Sequence, residues 1–487
     1  MHPDVAAERF ALPAHFWAGF RRTYWEAKGR VLKQPFATPL ASPEEVFRCL
    51  VKASERYRPR SHDADVEFCL EGAALLADVG KHLPRAGDKT AAAYARRVTG
   101  LLGGQRFGLV VSELQQYGAP LWFRLRAFVR GLVAAVGAPA TAKATLFLGN
   151  YRNTPFGVHR GQSSNFMFVI DGRKRILGWP DAYMRRQKAD PTYTLDYRRY
   201  RKDAVVLEGT PGDVLYFPSD YWHIGEDVGG LSMAISLMLF MEARPAEHVL
   251  PHVEERLATR LGARPVPGVS SHVQSTLTAL RAMSSDTALR RVLTAACLNH
   301  ATGSGFTAVP PPLVVRTLTE TAVVRGHPEY PIRWLPTGTG EILCSTNGHA
   351  FTMAAHPKIV ALLGRLNGGE PCRVGDLVRE YAGAARQGGR RAPPPVEIRT
   401  LLSKLASLRA RSRPARREQR ASPPRNRRNV SEEAIMATKR GKKTGGAKRK
   451  RTSTVKDLSL ARRRGDAVKG GAMKRGGPRR ADCEPMT

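Results

Sequence analysis

Acidic residues are in short supply in this chain. It has 487 residues, with 42 Asp and Glu against 78 Lys and Arg and a formal charge of +36. Cysteine is equally thin. Six are scattered along the chain (Cys49, Cys69, Cys297, Cys344, Cys372, Cys483) with no CxxC pair. That pattern excludes a disulfide framework and a cysteine-rich zinc site, and reads as reduced thiols. No apolar run approaches a membrane span and no apolar signal segment opens the sequence, so a cytoplasmic location is the expectation. What remains is ordinary for a globular protein: 42% hydrophobic and 25% charged residues, enough for two or three domains.

The charge is unevenly spread. From Arg411 to Thr487 there are 25 Lys and Arg against 7 Asp and Glu. This tail, 411–487, is rich in Arg, Lys, Pro and Gly and reads as disordered. It is either a solvated arm or a contact for nucleic acid or another polyanion.

Periodicity divides the remainder. Residues 1–140 read as mainly helical: Phe16 to Ala27 opens the fold, and Ser42 followed by Glu45 is a capping-box pattern. A further helix is predicted over Leu121 to Val136. From Ala144 the texture turns to short, often alternating apolar runs: Ala144–Leu148, Asn165–Ile170, Arg173–Leu177, Ala204–Leu207, Asp213–Phe217 and Leu231–Phe240. Such spacing predicts a barrel or jelly roll over 141–245. Helical patterning returns over about 246–298, inside a segment 246–335. In 336–410, Asn347-Gly348 predicts a hairpin turn, followed by helices at about 357–366, 374–381 and 396–409. A hairpin beside three helices is winged-helix-like, or equally a small α/β packing domain. The fold class is therefore α+β.

The chemistry concentrates in two stretches. One holds His159-Arg160-Gly161, the other Tyr221-Trp222-His223. Two histidines on neighbouring strands can reach one metal, and a carboxylate two residues after the first would point the same way. Here that position is Gly161. Glu226 and Asp227, just after His223, are candidate replacement ligands, although an exposed turn is the plainer place for them. Tyr221 and Trp222 would line an entrance or simply pack.

The stretches "HRGQSSNFMFVIDGRKRILGWP" and "TPGDVLYFPSDYWHIGEDVGG" resemble the JmjC/cupin-type Fe(II)/2-oxoglutarate-dependent oxygenases. The likeness is nearest to the asparaginyl hydroxylase that inhibits hypoxia-inducible factor and to bacterial ribosomal oxygenases. It is strong over about 145–240 and weak over 10–60. The resemblance implies a double-stranded β-helix, Fe(II) held by His159 and His223, and 2-oxoglutarate as cosubstrate. It implies that Lys174 pairs with the distal carboxylate of 2-oxoglutarate, with Arg173 and Arg175 on the opposite face. Asn165, Thr154 and Ser236 match polar positions near the cosubstrate, or else serve as polar filling of the barrel. The implied substrate is a protein or peptide side chain, and helices over 246–298 stand where relatives form dimers.

Gly161 departs from that family's pattern and leaves three readings open. Hydroxylation survives with water or a nearby carboxylate as ligand; or a halide takes the place, as in iron halogenases that lack the acid; or the barrel is a non-catalytic binding module. In the tail, the sequence from Met436, with Thr454-Val455-Lys456-Asp457-Leu458 and Gly470-Gly471, resembles leader segments of ribosomally made, modified bacterial peptides. That reading makes a peptide the substrate.

Overall fold

The computed structural model describes residues 7–408, apart from 59–65, 72, 76–77, 155, 188–193, 195, 227, 242–249, 263–268, 285, 316, 339, 384–385 and 388–389. The basic tail, with its leader-like segment, lies outside the described residues, as does Asp227. Among the described residues no helix is long and apolar enough to cross a membrane.

Two antiparallel sheets form the centre. The larger runs β1 (Arg30–Leu32), β10 (Val214–Phe217), β7 (Ser164–Asp171), β12 (Ser232–Phe240), β5 (Thr141–Gly149), β4 (Phe107–Val111), β2 (Val66–Leu70) and β3 (Ala73–Ala74). The smaller runs β6 (His159–Arg160), β11 (Trp222–Glu226), β8 (Lys174–Trp179) and β9 (Val205–Gly209). This is the expected jelly roll within an α+β fold. The six predicted strands are present, each within a few residues of its expected ends.

The first 140 residues are less purely helical than their pattern predicts. Helices α1 (Ala14–Thr23), α2 (Pro43–Arg56), α3 (Ala91–Leu101) and α4 (Ala119–Val136) are there, but β1 to β4 extend the large sheet. The strands were hidden because they are short, and β4 is buried along its whole length, so it shows no alternation. The Ser42 cap forms, its Oγ accepting the Glu45 N–H at 3.2 Å.

Alternation on β7 explains how the sheet serves two cores. Phe166, Phe168 and Ile170 face the N-terminal helices, where they join Trp17, Phe20 and Phe128. Met167 and Val169 face inward, with Leu215 and Phe217 of β10, Ile176 of β8 and Tyr221. Each large apolar side chain so buried is worth about 1.5–3 kcal/mol. Both faces being covered, the strand reads as a nearly continuous apolar run.

After the barrel come α5 (Leu250–Leu261), α6 (Val269–Ser284) and α7 (Thr287–Thr302). Next, β13 (Val323–Val324) pairs with β17 (Cys372–Arg373), and β14 (Arg333–Pro336), β15 (Glu341–Thr346) and β16 (His349–Ala354) form a three-stranded sheet. Asn347 and Gly348 make the β15–β16 turn at φ of 51° and 78°, as the dipeptide predicts. Helices α8 (Pro357–Asn367), α9 (Val374–Tyr381) and α10 (Pro395–Ser407) follow and share a core with the β15 side chains Ile342 and Cys344. The extra strand β14 was not expected. Arg126 of α4 ties this region to the barrel, its guanidinium donating to Asn347 Oδ1 at 2.6 Å and to the Thr302 carbonyl at 3.0 Å.

Candidate metal centre

Strands β6 and β11 pair antiparallel, and their register sets His159 directly opposite His223. Directly paired residues share a face, so both imidazoles enter the same space. The ring centroids are 4.3 Å apart. Each Nδ1 faces a carbonyl two residues back: His159 toward Gly157 and His223 toward Tyr221, both at 3.1 Å. A carbonyl can only accept, so each Nδ1 carries the proton, leaving the Nε2 lone pair for a metal. Burial lowers the pKa of His159, against the pull of its bond to Gly157. Burial and then the neighbouring His159 push His223 down to about 3, against its bond to Tyr221. Both rings are therefore neutral near neutral pH, the state a metal ligand needs.

Lys174 lies on the same inner face. Strand β11 places His223 opposite Gly178 of β8, and Lys174 is four residues from Gly178, an even step along a strand. Its side chain is buried and donates to the Tyr151 hydroxyl. The ammonium also sits 4.5 Å from the Tyr151 ring centroid and 5.7 Å from that of Phe147. Arg173 and Arg175 project outward, as alternation predicts, where Arg175 pairs with Glu208 at 2.7 Å and Glu226 at 3.1 Å.

The remaining sequence-derived positions also gather inside the barrel. Asn165 of β7 and Ser236 of β12 are buried and bonded, Ser236 Oγ donating to Asn165 Oδ1 at 3.1 Å. The Asn165 amide donates in turn to the Ser163 carbonyl at 2.6 Å. Thr154 accepts the Gly225 N–H on its Oγ1 at 3.2 Å, which anchors it to β11 two residues past His223.

Glu226 is not a replacement ligand. It ends β11 on the face away from His223, where Arg175, Arg201 and Tyr197 hold its carboxylate. Burial acts to raise its pKa, but those donors outweigh it and keep the acid ionised. Tyr221 and Trp222 pack: Tyr221 is buried against Gly178, and Trp222 Nε1 donates to Asp181 at 2.8 Å.

A side chain at Gly161 would meet little resistance. An ideal Cβ there would lie 3.7 Å from His223 Cε1, 3.7 Å from Ser163 Oγ and 3.9 Å from Ser163 N, all ordinary contacts. Its φ lies outside the left-handed region, so the backbone does not demand glycine. Among the described residues, no group of three or more His, Cys, Asp and Glu is placed to hold a metal. Among the described residues the site thus offers two imidazole donors and no carboxylate beside them.

Residues 127–245 match the family model of the JmjC domain. This part of the chain is a JmjC domain. It has the JmjC/cupin architecture, with the histidine pair between the facing sheets. Among solved structures, the X-ray structure of E. coli ycfD matches at 13% identity and a TM-score of 0.41, covering 81% of this chain and 97% of that one. The E. coli ribosomal oxygenase YcfD in complex with cobalt and 2-oxoglutarate matches at 13% identity and a TM-score of 0.39, with the same coverage. The DMSP lyase DddQ from Ruegeria pomeroyi matches at 14% identity and a TM-score of 0.14, over 20% of this chain and 39% of that one. No curated protein matches the chain.

Two residues of this JmjC domain escaped the sequence reading. Tyr151 reaches Lys174 because Gly108 and Gly149, paired across β4 and β5, leave room for its ring. A Cβ on either glycine would fall within 2.9 Å of Tyr151 Cδ1. Two facing glycines in apolar strands were the available signal. Ser163, fully buried beside Gly161, had no signal beyond its place in the turn.

Proposed function

We propose that the JmjC domain is the core of an Fe(II)/2-oxoglutarate-dependent oxygenase that hydroxylates a protein or peptide side chain. One observation carries this: two neutral histidines with unblocked Nε2 atoms share the barrel interior with a buried lysine. Their donor chemistry suits Fe(II), with His159 and His223 as ligands. Iron supplies the oxidising chemistry, in which 2-oxoglutarate, oxygen and R–H give succinate, carbon dioxide and R–OH. The protein binds and orients. The Lys174 ammonium and Tyr151 hydroxyl would take the distal carboxylate, which would otherwise enter the barrel as an uncompensated charge. Asn165, Ser236 and Thr154 supply polar edges, while Met167, Val169, Leu215 and Phe217 keep water from the reacting atoms.

YcfD of E. coli is a ribosomal oxygenase. For this chain, a protein or peptide substrate is supported by the motif resemblance over about 145–240. The basic tail would add a polyanion contact or a peptide substrate in cis, and a homodimer through the helices of 246–298 belongs to the same reading. So does a cytoplasmic location. Protein purified without oxygen, loaded with Fe(II) and given 2-oxoglutarate, oxygen and a peptide pool should release succinate and yield a peptide 16 Da heavier. Absence of both turnover and an iron–cosubstrate absorption band would refute the proposal in favour of a binding module. That module would keep its partner affinity after His159→Ala and His223→Ala.

A further inference from the structure

We propose that Asp181 is a positioning residue for the metal centre: its carboxylate clamps β6 to β11 from outside the barrel and so holds His159 and His223 in register. This rests on the proposed function and names what sets the geometry of that site.

Strand β6 is two residues long and stands at the edge of the small sheet, where β11 is its one neighbour among the described residues. The two strands share two pairs, His159 with His223 and Arg160 with Trp222. Side chains alternate along a strand, so the histidines face the barrel interior while Arg160 and Trp222 face out. On that outer face one oxygen joins them. Asp181 Oδ1 accepts the Trp222 Nε1–H at 2.8 Å and lies 3.1 Å from Arg160 Nη1. Its Oδ2 accepts the Arg185 Nε–H at 2.5 Å. The bond from Trp222, helped by Arg185 and Arg160, outweighs burial and holds the carboxyl below its usual pKa.

The clamp has a firm base. Asp181 opens a single helical turn, Asp181–Met184, two residues after Trp179 of β8. Trp179 and Met184 are buried together in the outer core, and Trp179 stands directly opposite Trp222 on β11. Asp181 is thus fixed to β8, and from there it reaches both histidine strands. Before β6, the Val158 N–H donates to the Thr194 carbonyl at 2.8 Å. After it comes Gly161, which has no side chain to fasten the strand from inside. Arg160 is therefore the last side chain that can hold β6 in place. A displacement of about 0.5 Å is enough to loosen a metal site, and a strand with two pairs resists such slippage poorly.

The test titrates the metal-free full chain and its variants with Co(II), read through cobalt's visible absorption. Asp181→Ala and Arg160→Ala should each weaken Co(II) binding about 10- to 100-fold and shift the absorption band. Combining them should cost little more than the worse single change, because both break one bridge. Arg185→Ala, which touches the other carboxylate oxygen, should bind as the parent does. So should Gly131→Ala, whose clash lies at the α1–α4 contact, and it serves as the control for lost stability alone. Parent-like affinity and spectra in Asp181→Ala and Arg160→Ala would overturn the inference and leave the metal site standing. An equal loss of affinity in Gly131→Ala would overturn it too. No Co(II) binding by the parent would remove the proposed function and this inference with it. If Asp181→Ala fails to fold, Arg160→Ala decides, since its side chain is 42% exposed and its removal leaves the outer core intact.

Discussion

Replacing Lys174 with Met separates a cosubstrate anchor from a structural lysine. The side chain is 2% exposed, and methionine nearly matches its length and volume. The substitution removes an ammonium whose desolvation costs several kcal/mol, while exchanging a buried cation for a packed apolar chain is often neutral or stabilising. Against that stands the lost bond to the Tyr151 hydroxyl, a loss of about 1–3 kcal/mol for a buried phenol. The two terms nearly cancel, so unfolding stability should change by no more than about 1 kcal/mol in either direction. Binding of 2-oxoglutarate should behave differently. A hydrogen bond to a charged group is worth about 1.5–3 kcal/mol, so affinity should fall about 10- to 150-fold. Urea unfolding gives the first quantity, and calorimetric titration of Co(II)-loaded protein with 2-oxoglutarate gives the second. A variant that loses several kcal/mol of stability but binds 2-oxoglutarate as before would refute the reasoning and make Lys174 a structural cation.

Three further outcomes follow from the geometry. Gly131→Ala puts a Cβ 2.5 Å from Trp17 Nε1 where α1 crosses α4, so it should cost about 1–3 kcal/mol, seen as a lower urea midpoint at unchanged slope. Co(II) should raise the thermal midpoint of the unaltered protein, and His159→Ala with His223→Ala should abolish that rise in a melting scan. Burial tends to raise the Asp213 carboxyl, but the Thr210 N–H, the Lys33 ammonium and the Gln34 N–H outweigh it and hold its pKa below the usual value. A depressed carboxylate stabilises the fold above its unfolded pKa, and that contribution fades as pH falls toward the folded value. Asp213→Asn should therefore be less stable than the parent at pH 7, with the gap narrowing below about pH 4 in chemical unfolding.

The jelly roll was legible because its strands announce themselves by short apolar runs between Gly, Pro and Asp turns. The C-terminal helices were legible to within two or three residues, since each carries its own apolar stripe and a terminating break. Two kinds of element were not. Strands β6 and β11, which bear the histidines, are two and five residues long and polar on one side, so only their partners define them. Strands β1 to β4 depend on the large sheet, and a three-residue run such as Arg30–Leu32 carries no period of its own. At the site, the positions that alternation fixes were readable: Lys174 inward, Arg173 and Arg175 outward. Tyr151 and Ser163 were not, because a turn residue's direction is set by tertiary contacts. Glu226 shows the same limit from the other side. Sequence proximity to His223 suggested a ligand, yet the single-residue offset from Gly225 turns it to the outer face.

That offset also explains why the missing acid cannot be replaced from β11. A strand sends alternate residues to opposite faces, so the inner positions after Tyr221 are His223 and Gly225, and Thr154 closes over Gly225 with a methyl 2.8 Å from where a Cβ would stand. An acid on β11 itself would thus face the outer arginines or collide with Thr154. The β6 side differs, because Gly161 follows the strand by one residue and its Cβ direction is open toward His223. Position 161 is where this barrel accepts a carboxylate without rebuilding. Gly161→Asp should therefore fold with stability close to the parent, in contrast to Gly225→Asp, which should lose several kcal/mol by clash and buried charge. Equal destabilisation of the two variants in urea would show that the space beside Gly161 is not available to a side chain.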